Sequence, residues 1–197
     1  MTDDTFPAGR PSPDEHHPGY APYVEAAAEG GALRGEAPLD LVALLARQPA
    51  GLEAALGGCT EATALHRYAP EKWSVKEVVA HLTDVERVMG YRLLRVSRGD
   101  ETPLPGFDEN AWVAAMDHDR RPLREHLEEF GAARAGTVAL IRGLAPEAFL
   151  QRVTASGHVV SGRALVWILA GHLEHHLRIL HERYGVPVPE QNDHLPS

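Results

Sequence analysis

The chain has 197 residues, 44% apolar and 24% charged, enough for one domain with a sizeable core. Its 28 acidic side chains outnumber 19 basic ones, and the formal net charge of -9 gives no general attraction to phosphate backbones or anionic lipid. A single cysteine, Cys59, rules out an intrachain disulfide or a cysteine-rich zinc module, and no apolar run reaches the length of a membrane span. The opening MTDDTFPAGR has neither the basic start nor the apolar stretch of a secretory signal. These features lead to the expectation of a soluble, cytoplasmic protein with no nucleic-acid or membrane partner.

Residues 1–36 are rich in proline (Pro7, Pro11, Pro13, Pro18, Pro22) and carry the pair Gly30-Gly31. Such a stretch reads as a flexible or loosely packed arm with at most a short helix over Val24–Glu29, and His16 and His17 are expected to be solvated there. Residues 37–185 read as one helical domain. The first long helix spans Leu39 to Leu56, with Gly57-Gly58 as its stop and Pro49 expected to kink or break it near Gln48. The second begins at Ser74, where Glu77 three residues on completes a capping box and Trp73 is placed to staple onto Val78. It continues through Leu82, Met89 and Leu93 to Arg98-Gly99. After the loop GDETPLPGFD, a short helix is expected over Glu109–Ala115. The third long helix starts near Arg121-Pro122 and stops at Gly143. Arg152–Val160 reads as a turn with a little extended chain, the fourth long helix runs from Ser161 to Tyr184-Gly185, and residues 186–197 form a tail. Four long amphipathic helices define an all-α four-helix bundle, with long links that leave the topology open.

Histidine is the unusual entry, with 12 copies. At about 100° per residue, His172 and His176 stand in the middle of the apolar stripe of the fourth helix, with His175 on its flank and Glu174 and His181 on the opposite, solvent side. Gly171 leaves room beside the pair. On the second helix His81 points into the core sector, and Asp84 borders the same face. Each ring taken alone reads as a hydrogen-bonded core histidine. Two rings four residues apart on one apolar stripe, in phase with a third on another helix, also fit ligands of one divalent metal ion. No HExxH motif accompanies them, the carboxylates of a di-iron bundle are missing, and Cys59 reads as a free or half-buried thiol. Three neutral imidazoles leave coordination positions open, and a lowered pKa of a water or thiol is the use such a site suggests. Asp84 is the candidate proton acceptor beside it, and Arg87 faces solvent. Phe107 and Trp112 either line a pocket mouth or anchor their loop on the bundle.

The stretch EKWSVKEVVAHLTDVERVMGYRLLRVSRGD, the ENAW at 109–112 and RALVWILAGHLEHHLRIL closely resemble the DinB-like superfamily, which shares its look with YfiT-like metal-dependent hydrolases and thiol-dependent S-transferases. The resemblance covers about residues 38–185. It implies an up-down-down-up bundle with long crossover connections and one divalent ion, zinc or nickel in many members, held by three histidines. Carried over by motif, these are His81, His172 and His176. Relatives include enzymes that use low-molecular-weight thiols such as bacillithiol or mycothiol, and an isomerase type in which a glutamate stands where this chain has His172.

The resulting expectation is a metal-dependent enzyme that activates a thiol or water for transfer to, or hydrolysis of, a small electrophile, as a thiol S-transferase or hydrolase. Its partners would be that small-molecule electrophile or thiol and, as a homodimer, a second copy of the chain. The alternative is a non-catalytic metal-binding or stress-response bundle in which the ion only pins two helices.

Overall fold

The computed structural model describes residues 9–33 and 40–187. Seven helices and one β-hairpin occur among them: α1 (Ala21–Leu33), α2 (Leu41–Leu56), α3 (Glu61–Ala64), α4 (Val75–Ser97), α5 (Glu109–Ala114), α6 (Leu123–Arg142) and α7 (Gly162–Tyr184), with β1 (Arg152–Ala155) and β2 (His158–Ser161) between the last two helices. Three of the four bundle helices, α2, α4 and α7, carry side-chain N-caps, and α6 starts after Pro122 without one. Asp40, Ser74 and Ser161 accept from the backbone N–H three residues on, Ser74 and Glu77 form the full capping box, and Gly185 closes α7 in the left-handed conformation. Pro49 does not interrupt α2, which continues across it as one helix. The lost donor is tolerated because the flanking Leu45, Gln48 and Leu52 are all buried and held from outside the helix.

Around the bundle the order is α2, α6, α4, α7, each packing on the two beside it. Two core clusters set the directions. In one, Leu41, Leu44 and Leu45 from the start of α2 meet Met89, Leu93 and Val96 late in α4, Val138 and Ile141 late in α6, and Leu165, Ile168 and Leu169 early in α7. In the other, Leu52 and Leu56 meet Val75, Val78 and Leu82 early in α4, Leu123, Leu127 and Phe130 early in α6, and Leu173 and Leu180 late in α7. So α2 and α7 run one way while α4 and α6 run the other, which is the up-down-down-up arrangement. The pairings of Arg87 with Glu129 (2.7 Å) and of Gly90 with Thr137 confirm that α4 and α6 are parallel neighbours. A parallel pair needs a link as long as the bundle, and residues 98–122 supply it. That link is tied to the hairpin by a parallel bridge between Leu104 and Ala155.

The N-terminal segment departs from the sequence reading. Over residues 9–33 it is not a loose arm. Helix α1 covers more than Val24–Glu29 and lies along α7, with Val24, Ala26 and Ala27 buried. Ahead of it, Glu15 is buried and binds Ser161 Oγ at 2.7 Å and the guanidinium of Arg163. His16 is buried rather than solvated, and the His17 ring lies 3.9 Å from that of His158. Proline content misled because Pro11, Pro13 and Pro18 lie ahead of the helix and Pro22 in its first turn, leaving the small residues 26–28 free to pack. Residues 1–8, 34–39 and most of the expected tail lie outside the described residues. Among the described residues, no helix is long and apolar enough to cross a membrane.

Candidate metal centre

Helix α4 carries His81 and helix α7 carries His172 and His176, and the antiparallel packing of the two brings the three rings together. The Nε2 atoms of His81 and His172 are 3.2 Å apart, and one ligand-capable atom from each of the three rings lies within 4.8 Å of the others. Ring centroids stand 4.6 to 5.1 Å apart with the planes steeply inclined, so the rings converge on a point rather than stack. That spacing could be spanned by one divalent ion. Its neighbours fix the rings: Trp73 lies 4.7 Å from His81, and Tyr23 meets His172 edge-on at 5.2 Å.

Burial governs the electrostatics. It pushes His81 down to about 4 and holds His172 and His176 well below the ordinary imidazole value, the neighbouring rings adding to the effect. The three are therefore neutral near pH 7, with lone pairs available. The buried Nδ1 of His176 has no hydrogen-bond partner among the described residues. An unmet buried nitrogen beside two more imidazoles is a donor set that suits a borderline-soft divalent ion.

The rings open into a cavity of about 250 Å³. Its floor is His81, His172, His176, Val85, Met89 and Ile168, its walls are Tyr20, Tyr23, Trp73, Phe107 and His175, and its exposed rim carries Glu109 and Ser156. Burial and the nearby Glu109 charge raise the Tyr23 hydroxyl above its usual value.

Asp84 is not on this cavity. It sits 3.9 Å from Arg87 on the side of α4 that faces Glu129 and His118, and burial raises its carboxyl above the ordinary value. The helix phase explains the difference. Asp84 flanks His81 by about 60° on one side, whereas Val85 and Met89, which do line the cavity, lie on the other. Glu174 is also not turned to solvent, since it accepts from Gln48 Nε2 at 2.8 Å. The room beside Gly171 is filled by α1: a Cβ there would stand 1.6 Å from the Tyr23 carbonyl oxygen. Phe107 lines the cavity, and Trp112 stacks on it at 4.7 Å without reaching the cavity itself. Cys59 is a half-buried free thiol whose pKa burial raises, which leaves it a poor nucleophile.

Sequence reasoning missed Tyr20, Tyr23, Glu109 and Ser156, and assigned Trp73 to a staple rather than to the cavity. The signal for the tyrosines was present: two aromatics three apart, followed by Val24 and Ala27 on the same helical face. Ser156 and Glu109 carry no comparable local mark.

An up-down-down-up helical bundle with three convergent histidines at an internal cavity defines the class. The sequence pattern of the DinB superfamily matches residues 44–180, and the chain belongs to that superfamily. Among solved structures it is similar to YfiT from Bacillus subtilis, described as "a probable metal-dependent hydrolase with an unusual four-helix bundle topology". The two are 21% identical, with a TM-score of 0.65 over 93% of this chain and 98% of that one, so the shared fold extends beyond the four bundle helices. No curated protein sequence matches this one.

Proposed function

We propose that the cavity is the active site of a metal-dependent enzyme in which His81, His172 and His176 hold one divalent ion, zinc or nickel, and a water or a low-molecular-weight thiol attacks a small electrophile. The observation that carries this reading is the convergence of three neutral, buried imidazoles on a cavity that reaches solvent. An ion held there would supply the Lewis acidity that makes water or a thiol nucleophilic near neutral pH. The chain does the rest. Burial keeps the imidazoles unprotonated, Trp73 and Tyr23 hold two of the ring planes, and Val85, Met89 and Ile168 give the electrophile an apolar seat from which bulk water is displaced. The structural relationship to a protein described as a metal-dependent hydrolase supports hydrolysis over thiol transfer.

The test is elemental analysis of untagged protein together with ester hydrolysis and thiol-transfer assays on the same samples. One ion per chain is expected, and His172→Ala should lower occupancy at least about tenfold because two imidazoles hold an ion far less well than three. Full metal content in the His172→Ala protein, or hydrolysis and transfer rates unaffected by chelation, would refute the proposal.

A further inference from the structure

Among the described residues, one residue other than glycine has its backbone in the left-handed region: Ser156, with φ 52°. It opens the two-residue turn Ser156–Gly157 between β1 and β2, a position where asparagine or glycine is sterically favoured. Its side chain lies on the rim of the cavity that the three histidines floor. From behind, the buried Arg92 donates through Nη2 to Ser156 Oγ at 2.8 Å and to the Pro105 carbonyl at 2.9 Å. The Ser156 N–H donates to the Leu104 carbonyl at 3.0 Å, and Gly106 leaves the hydroxyl its space, since a Cβ there would stand 3.3 Å from Oγ.

A serine hydroxyl has two acceptor lone pairs and one hydrogen. The guanidinium occupies a lone pair, and the hydrogen of this exposed hydroxyl is left for solvent or a ligand in the cavity mouth. A positive charge directly behind the oxygen makes that hydrogen a stronger donor. The other exposed rim residue, Glu109, is acidic and disfavours an anionic ligand.

We propose that Ser156 is a substrate-binding residue whose hydroxyl, held by Arg92, donates to the carbonyl oxygen of a small uncharged acyl compound (an ester, thioester or amide) seated on the apolar floor. This rests on the proposed function only in taking this cavity as the place where substrate sits. An unfavourable backbone angle kept at a cavity rim is a common mark of a side chain held for its chemistry.

Ser156→Gly keeps the turn, because glycine suits the left-handed conformation, and removes the hydroxyl, after which Arg92 Nη2 keeps the Pro105 carbonyl as acceptor. Wild type and Ser156→Gly are titrated with acetophenone and with ethylbenzene, which lacks the carbonyl, by protein-observed NMR, each with and without zinc. Wild type should bind acetophenone about tenfold more tightly than ethylbenzene. In Ser156→Gly that preference should fall to within about twofold in the metal-free protein, with the helical circular dichroism spectrum retained. A preference that survives in Ser156→Gly, an equal loss of affinity for both probes, or no binding of either probe to wild type would overturn the proposal. Failure of zinc to bind would refute the metal reading alone, because the metal-free titrations still report on Ser156.

Discussion

A neutral imidazole held in a folded site and a protonated one in the unfolded chain make His81 a source of acid lability. Its value is pushed down to about 4 in the fold, whereas in the unfolded chain it titrates near 6.5. Between those limits the unfolded state binds the extra proton, so the stability that neutral His81 contributes is complete above about pH 6.5 and is lost as pH falls toward 4. The shift sets an upper bound of about 3 kcal/mol for this one ring. His172 and His176 act in the same direction. Urea unfolding of metal-free protein from pH 8 to pH 4 should therefore show a steady decline below about 6.5, and His81→Leu should make it shallower without abolishing it. A flat profile in the wild type would mean that the folded site accepts protons freely. Glu15 follows the opposite chemistry with the same sign. Its bonds to Arg163, Ser12 and Ser161 hold its carboxyl far below the usual range, so the stability it adds begins to fall below about pH 4.5, where the unfolded carboxyl titrates, and is fully gone only in strong acid. The two groups thus report in largely separate pH windows.

Helix α1 shows how one absent side chain can decide the placement of an element. It crosses α7 at Gly171, where the Tyr23 carbonyl and the Ala27 N–H occupy the space a Cβ would need. Gly171→Ala cannot be accommodated by a side-chain adjustment, since the clash is with backbone. It should lift α1 off α7 and take the Tyr20 and Tyr23 walls with it. We expect a loss of about 2 to 4 kcal/mol in stability, read from chemical unfolding, and earlier amide exchange across residues 21–30 than elsewhere. Deleting residues 1–36 should likewise lower the melting temperature substantially, because Val24, Ala26 and Ala27 are core residues. The contrast with the other helices marks what a sequence displays. Helices α4, α6 and α7 announce themselves by capping signals and apolar stripes, and the phase of those stripes brings His81, His172 and His176 to one point. Helix α1 has small residues where a stripe would be read, and its partner is a glycine about 150 positions later. Ser156 and Glu109 were illegible for a related reason: one sits in a hairpin turn and the other opens the short α5, and no local periodicity encodes where those pieces come to lie. Asp84 shows the limit of helical phase, which gives a bearing around one axis and not the side on which a cavity opens.

Across the whole bundle, a single polar chain ties all four helices. Glu86 on α4 pairs with Arg134 on α6 at 2.8 Å, Arg134 binds the Gln48 side chain of α2 and the Leu169 carbonyl of α7, and Gln48 donates to the Ala170 carbonyl and Glu174 of α7. Glu86 and Arg134 are each only 2% exposed. Removing one charge would strand the other in an apolar interior, so Arg134→Met should cost about 3 to 5 kcal/mol in urea unfolding. Glu86→Met combined with Arg134→Met should recover more than half of that loss, and a double variant as unstable as the single would contradict it. Glu86 Oε1 and Arg134 Nε have no hydrogen-bond partner among the described residues, so the pair is not arranged for maximal stability. Its contacts nevertheless link all four bundle helices to one another. The parallel pairing of α4 with α6 carries a consequence of another kind. Parallel neighbours oblige the chain to return the full length of the bundle before it can start again, and the returning segment contributes Phe107 and Glu109 to the cavity. The convergence of the three histidines is thereby vested in the bundle helices, while part of the rim belongs to a strip of chain that topology demands. Substitutions at the exposed positions of that strip can reshape the rim without disturbing the histidines, so the architecture lets the mouth of the cavity change while its floor stays fixed.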